Sequence, residues 1–397
     1  MKKAKILTLA AIMVAGVSTF AQSRSMNFDT TKTWAEIKAR AKKENKLIFM
    51  DAYTSWCGPC KWMAKNIFTN DTVADFYNQN FICSAYDMEK GEGKDLAKKY
   101  EVQCYPNLLY IDGDGNLVHR KAGGMQSQDF IQLGKDAQDP QKQFANLKKQ
   151  YDNNNREPKF LLTYLDKMSG TCLKTDTVLA EYFKTQKESD LTSLQNWRVI
   201  YQYTRDVDSR EFNYLSKHID EYAQVTTVDS VSDKIFSTYL NKCYHLIYAK
   251  NPNDSLYTAY KTKIKNSGFK RGEEIITKGD MAYYGMKKDW NNYAQTAVRY
   301  FDNYGKEDYQ GMNNEAWTFY QHIDDKALLQ KAEQWTKTAT AKVDDYYNHD
   351  TYAAVLYKLQ KKEEALKQAE IAIAKAKELK LDYKSTEDLL EKIKGLK

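Results

Sequence analysis

Apolar positions in the first part of the chain fall into short continuous runs separated by polar and glycine punctuation; further on they recur at helical spacing. Leu47 to Tyr53 is an apolar run broken only by Asp51, which predicts a central strand buried on both faces. Phe81 to Asp87 and Asn107 to Ile111 read as further strands. Thr33 and Glu36 have capping-box spacing, and Trp34, Ile37 and Ala41 share one face of the helix they open. Helical patterns run through Ile67, from Asp71 to Asn78 and from Lys94 to Tyr100. Asp112-Gly113-Asp114-Gly115-Asn116 is hairpin chemistry leading into Leu117 to Arg120. Gly123-Gly124 and a helix from Ser127 close the region, and the order is βαβαββα.

The stretch Asp136 to Gln143, holding Pro140, is the expected boundary. Beyond it the chain is rich in Lys, Glu, Ala, Tyr and Gln, and an all-α domain is expected over 140–397. Leu356 to Ala365, with Ala369 and Ala372, resembles a tetratricopeptide repeat. A period of 37 carries Ala353, Tyr357, Ala369 and Ala372 back onto Ala316, Tyr320, Ala332 and Trp335. A further step brings Tyr293, Ala297 and Tyr300 into register. Stacked helical hairpins of this kind bury a continuous core and expose a concave surface. The repeat is clearest over 280–397; over 141–280 the pattern predicts helices without a register. An irregular helical bundle is the alternative.

At the N-terminus, Lys2, Lys3 and Lys5 precede an apolar run from Ile6 to Val17, and Thr19-Phe20-Ala21 offers small residues at the cleavage positions. Residues 1–21 therefore read as a secretory signal. The run is well short of the about 20 residues that span a bilayer. The next cysteine is Cys57, which argues against lipoprotein processing. Elsewhere the composition excludes two classes: 42% hydrophobic content excludes disorder, and a mean hydropathy of −0.74 excludes a polytopic membrane protein. The length of 397 residues suggests two or three domains. The net charge of +7 loses three lysines with the signal, and so small an excess favours neither nucleic acid nor an anionic membrane as partner. Six cysteines are too few for a disulfide-built scaffold of this size. Export matters because disulfides form and persist outside the cytosol.

Candidate chemistry sits at Trp56-Cys57-Gly58-Pro59-Cys60. Two cysteines three apart at a helix start lie near its unpaired N–H groups and the positive end of its dipole, which stabilise a thiolate on the first. Proline in the first turn loses no hydrogen bond. Such a pair can attack a disulfide and then resolve the mixed intermediate. Half a zinc site and a plain structural disulfide are the alternatives; the remaining cysteines and histidines form no cluster in sequence. Cys83 and Cys104 read as buried apolar cysteines, with a second disulfide or a regulatory thiol at Cys104 as the alternative. Cys172 and Cys243 read as helix-packing residues.

These residues together resemble the thioredoxin family over roughly residues 28–138. The Trp-Cys-Gly-Pro-Cys motif, Asp51 on the central strand, Tyr105-Pro106 before a strand and Gly124 near the closing helix each match that family's pattern. The extra helix from Asp71 resembles exported bacterial members. The resemblance implies an α/β thioredoxin fold, a mixed central sheet flanked by helices, ahead of the all-α domain. It makes Cys57 the nucleophile, Cys60 the resolving thiol and Asp51 the base that deprotonates Cys60 through water. A cis Pro106 would shape the client groove and Tyr105 would offer it backbone hydrogen bonds. Trp56, Gly58, Pro59 and Gly124 complete the client-binding positions. Two positions depart from the pattern. Ala85 stands where thioredoxins usually carry a lysine near the buried carboxylate, and Tyr105 is more similar to protein disulfide isomerases.

The expected function is thiol–disulfide exchange on periplasmic or secreted client proteins, as reductant or isomerase, with no cofactor and no metal. The chain carries no dinucleotide or flavin motif, so a membrane electron-transfer partner would have to re-reduce it. A redox-gated binding protein, with the helical repeats in the main role, is the alternative.

Overall fold

The computed structural model describes residues 24–397, and the expected signal segment at 1–21 lies outside the described residues. The chain divides into two compact units at Glu188/Ser189. In the first, the elements are β1 (Phe28–Asp29), α1 (Trp34–Glu44), β2 (Leu47–Tyr53), α2 (Gly58–Asn66), α3 (Asp71–Asn80), β3 (Phe81–Asp87), α4 (Gly93–Lys99), β4 (Asn107–Ile111), β5 (Leu117–Ala122) and α5 (Ser127–Gln138). The sheet order is β1-β3-β2-β4-β5, with β1, β3 and β2 parallel and β4 antiparallel to both its neighbours. The two-residue β1 is too short to leave a hydropathy pattern, and the sequence did not reveal it.

Local chemistry accounts for the elements. The Thr33 hydroxyl accepts from the Glu36 N–H, and the Glu36 carboxylate accepts from the Thr33 N–H at 2.8 Å, which starts α1. The Asp112 carboxylate accepts from the Asp114 and Asn116 N–H groups, and Gly115 takes a φ of +87° to turn the β4–β5 hairpin.

Strand β2 is buried on both faces because successive side chains point opposite ways. Phe49 packs with Met63, Tyr77, Tyr110 and Phe130 on one side, while Ile48, Met50 and Ala52 pack with Trp34, Ile37 and Leu109 on the other. Within the first core the Tyr77 hydroxyl donates to the Phe130 carbonyl at 2.7 Å, leaving the Tyr110 hydroxyl to donate to Tyr77. Both buried phenols are thereby satisfied.

Three further helices belong to this unit: α6 (Phe144–Asp152), α7 (Pro158–Ser169) and α8 (Asp176–Lys184). The expected boundary at 136–143 begins in the last residues of α5 and lies inside this unit, which runs on to Glu188. At the start of α6 the Phe144 N–H donates to Nδ1 of the buried His119 on β5, at 3.0 Å. After α7 the Gly170 carbonyl accepts from the Ala122 N–H at 2.7 Å. Strand β5 is the sheet edge, and the Ala122 N–H finds its partner beyond it.

The second unit is all-helical: α9 (Leu194–Tyr203), α10 (Arg210–Lys217), α11 (Ile219–Tyr222), α12 (Val228–Ile247), α13 (Asp254–Asn266), α14 (Gly272–Lys287), α15 (Trp290–Asn303), α16 (Tyr309–His322), α17 (Lys326–Lys342), α18 (Tyr346–Lys358), α19 (Lys362–Leu379) and α20 (Lys384–Lys394). Asp289, Asp308, Asp325 and Asp345 each cap the helix that follows by accepting a first-turn N–H. Ala316, Ala332, Ala353 and Ala369 are fully buried, where α16 packs on α17 and α18 on α19. Small side chains let those helices approach closely. Among the described residues no helix is long and apolar enough to cross a membrane.

Candidate redox site

Strand β2 ends at Tyr53 and the chain turns directly into α2, with Cys57 as its N-cap. Cys57 and Cys60 form a disulfide, and the Cys57 sulfur accepts from the Cys60 N–H at 3.1 Å. The pair therefore occupies the helix terminus, where free N–H groups favour negative charge on sulfur. Gly58 and Pro59 fill the first helical positions. Both cysteines are nearly covered, whereas Trp56 is 64% exposed. The Trp56 indole N–H donates to the Glu89 carboxylate at 3.0 Å, and its ring meets that of Tyr105 edge-on at 5.9 Å.

The Tyr105–Pro106 peptide bond is cis, as expected. The Pro106 carbonyl accepts from the Gly123 N–H at 2.8 Å, and Gly123 takes a φ of +91° to make that approach. Gly124 lies beside Pro59, where an added Cβ would sit 3.7 Å from the proline ring. The left-handed conformation thus belongs to Gly123, and Gly124 lines the contact with α2. Trp56, Cys57, Pro59, Tyr105, Pro106 and Gly124 are brought together by two loops and one helix end.

Asp51 sits in the middle of β2, 5% exposed. Its register partners are Ala85 on β3 and Leu108 on β4. Burial raises its pKa to about 7, and Oδ1 has no hydrogen-bond partner. A carboxyl that titrates near neutrality can take up and release a proton under working conditions.

The thioredoxin-like domain family matches residues 34–138. Thioredoxin-2 of Saccharomyces cerevisiae is 32% identical over 92 residues, which is 23% of this chain and 82% of the yeast protein. The chain belongs to the thioredoxin family. The thiol:disulfide interchange protein DsbD of Yersinia pestis is 27% identical over 113 residues, covering 28% of this chain and 19% of that protein. Thioredoxin-T of Drosophila melanogaster is 31% identical over 80 residues, covering 20% of this chain and 47% of that one. The chain thus spans about half of Thioredoxin-T and about a fifth of DsbD. Among solved structures, a candidate disulphide-isomerase from Bacteroides thetaiotaomicron is 39% identical, covering 30% of this chain and 98% of that chain, with a TM-score of 0.28.

Within this thioredoxin-family site, the sequence did not reveal three features. The buried Arg120 guanidinium donates to the Tyr100 and Glu101 carbonyls and to the Asn107 side chain, which follows Pro106. It braces the base of the cis-proline loop, and burial lowers its pKa to about 10. Flanked by His119 and Lys121, this arginine has no local pattern that sets it apart. Glu89 anchors Trp56 from a loop without any pattern. Cys172, expected as a helix-packing residue, is instead exposed in the α7–α8 connection and forms a disulfide with Cys104. Cys104 is therefore the second-disulfide alternative rather than a buried apolar cysteine. Cys83 and Cys243 are free and buried, and burial pushes both thiols up to about 12.

Proposed function

We propose that this protein is an exported thiol–disulfide oxidoreductase acting on protein disulfides through Cys57 and Cys60, as reductant or isomerase. The observation that carries the reading is the placement of the pair at the α2 N-terminus, with the adjoining Trp56 ring against Tyr105. In the reducing direction, the Cys57 thiolate attacks one sulfur of a client disulfide and expels the other as a thiolate. Asp51 then accepts the Cys60 proton through water, and the Cys60 thiolate attacks the Cys57 sulfur. That step releases the second client thiol and leaves Cys57–Cys60 oxidised. Two electrons pass to the client, and a membrane electron-transfer partner would restore the dithiol. The DsbD relatives, named as thiol:disulfide interchange proteins, support exchange chemistry of this kind. Trp56 shields the sulfurs, and the Tyr105 backbone pairs with the client's extended chain. The C-terminal helices, read as tetratricopeptide-like repeats, recruit the client or partner. The buried alanines at the 37-residue spacing support that assignment.

The test is dithiothreitol-driven reduction of insulin by the exported protein. Turnover above the uncatalysed rate, lost in Cys57→Ser, is expected; equal rates with and without the protein would contradict the reading. N-terminal sequencing of the exported fraction should begin near Gln22, and an intact Met1 there would overturn cleavage of the signal; absence of the protein from that fraction would overturn export.

A further inference from the structure

The second disulfide adjoins the cis-proline loop. Cys104 immediately precedes Tyr105, and its partner Cys172 sits in the connection that follows α7. The same connection is tied to the other side of the cis-proline loop. Ala122 is the register partner of Asn107, and its N–H donates to the Gly170 carbonyl at 2.7 Å. The next residue, Gly123, donates to the Pro106 carbonyl, and Gly124 faces Pro59. A continuous line of neighbours therefore runs from Pro59 through Gly124 and Ala122 to Gly170, and the disulfide closes it back onto Cys104. Between the two ties, Thr171 is buried. Its hydroxyl donates to the Met168 carbonyl at 2.6 Å and accepts from the Leu173 N–H at 3.3 Å. Cys172 then turns outward, exposed, with a left-handed φ of +61°.

Resting on the exchange reading above, we propose that the Gly170–Leu173 connection is a wall of the client-binding groove and that Cys104–Cys172 positions it there. The occupant is the extended chain that flanks a client's cysteine. A small disulfide has no such chain and does not reach the wall. The bond thus makes the connection a specificity-determining element rather than part of the chemistry.

The experiment compares insulin with a small aliphatic disulfide as substrates for the full chain and for the Cys104→Ala/Cys172→Ala double variant. The ratio of kcat/KM for insulin to kcat/KM for the small disulfide should fall roughly tenfold, through KM, as when one ordering contact of a bound chain is lost. An unchanged ratio in a folded variant would overturn the wall and leave the disulfide as a staple for α7 and α8. Wild-type protein that turns over neither substrate would overturn the exchange reading, and the wall with it. A second measurement does not depend on the double variant. Cys60→Ser, joined through Cys57 to a cysteine-bearing peptide, should show slower amide hydrogen exchange over 170–174 than the free protein. Identical exchange would contradict the proposal.

Discussion

Asp51 and Ala85 are register partners across the parallel β2–β3 pair. Ala85 carries no charge, so no ammonium from that position offsets the cost of burying the carboxylate. With burial as the cause, the Asp51 pKa stands at about 7.

That shift has a sign that stability measurements can read. The unfolded carboxyl titrates near 3.8 and the folded one near 7, so between those values the folded state holds the proton more tightly. Stability contributed by this group falls as pH rises from about 4 to about 7. Asp51→Asn cannot ionise and should exceed the wild type in stability at pH 8 by roughly 2–4 kcal/mol, the gap closing toward pH 4. Guanidinium unfolding at the two pH values checks it; a pH-independent gap would contradict the assignment.

His119 has the opposite sign. Burial lowers its pKa from 6.5 to about 4, because protonation would place a charge in a dry site and remove the acceptor for the Phe144 N–H. The unfolded state then binds the proton more tightly, so stability drops as pH falls from about 6.5 to about 4. The loss should reach about 3 kcal/mol. His119→Asn keeps an acceptor but cannot titrate in this range. Unfolding midpoints across that window should therefore slope less steeply in the variant, and parallel slopes would exclude His119 as the source.

The helical unit rests on close approach at its alanines. Ala369, fully buried on α19, has no room for three extra carbons. Ala369→Leu should destabilise that unit by roughly 1–3 kcal/mol. Hydrogen exchange of α18 and α19 amides would register this as faster opening, and unchanged protection would show slack at the position.

Much of the first domain was legible because its signals are local. The Thr33–Glu36 cap, the doubly buried run at β2, the Asp112–Asn116 turn and the Cys-Gly-Pro-Cys helix start each report on a few adjacent residues. The Tyr105–Pro106 loop was legible only through family resemblance, since an X-Pro pair alone does not specify its isomer. What escaped the sequence is non-local. Cys104 and Cys172 are 68 residues apart, and their pairing depends on α6 and α7 folding back over β5. The His119–Phe144 bond depends on the same packing. Neither α6 nor α7 differs in composition from the helices of the second unit, so nothing local assigned them to the first. Arg120 was hidden for a related reason: two of its three partners are main-chain carbonyls, which carry no sequence signature.

The central claim is that Cys57 attacks and Cys60 resolves. Its most direct test is trapping in the oxidising compartment, with mixed disulfides separated on non-reducing gels and identified by mass spectrometry. Cys60→Ser keeps the nucleophile and lacks the resolving thiol, so it should accumulate client proteins bound through Cys57. Cys57→Ser should accumulate none. Equal trapping by both variants, or by neither, would contradict the account.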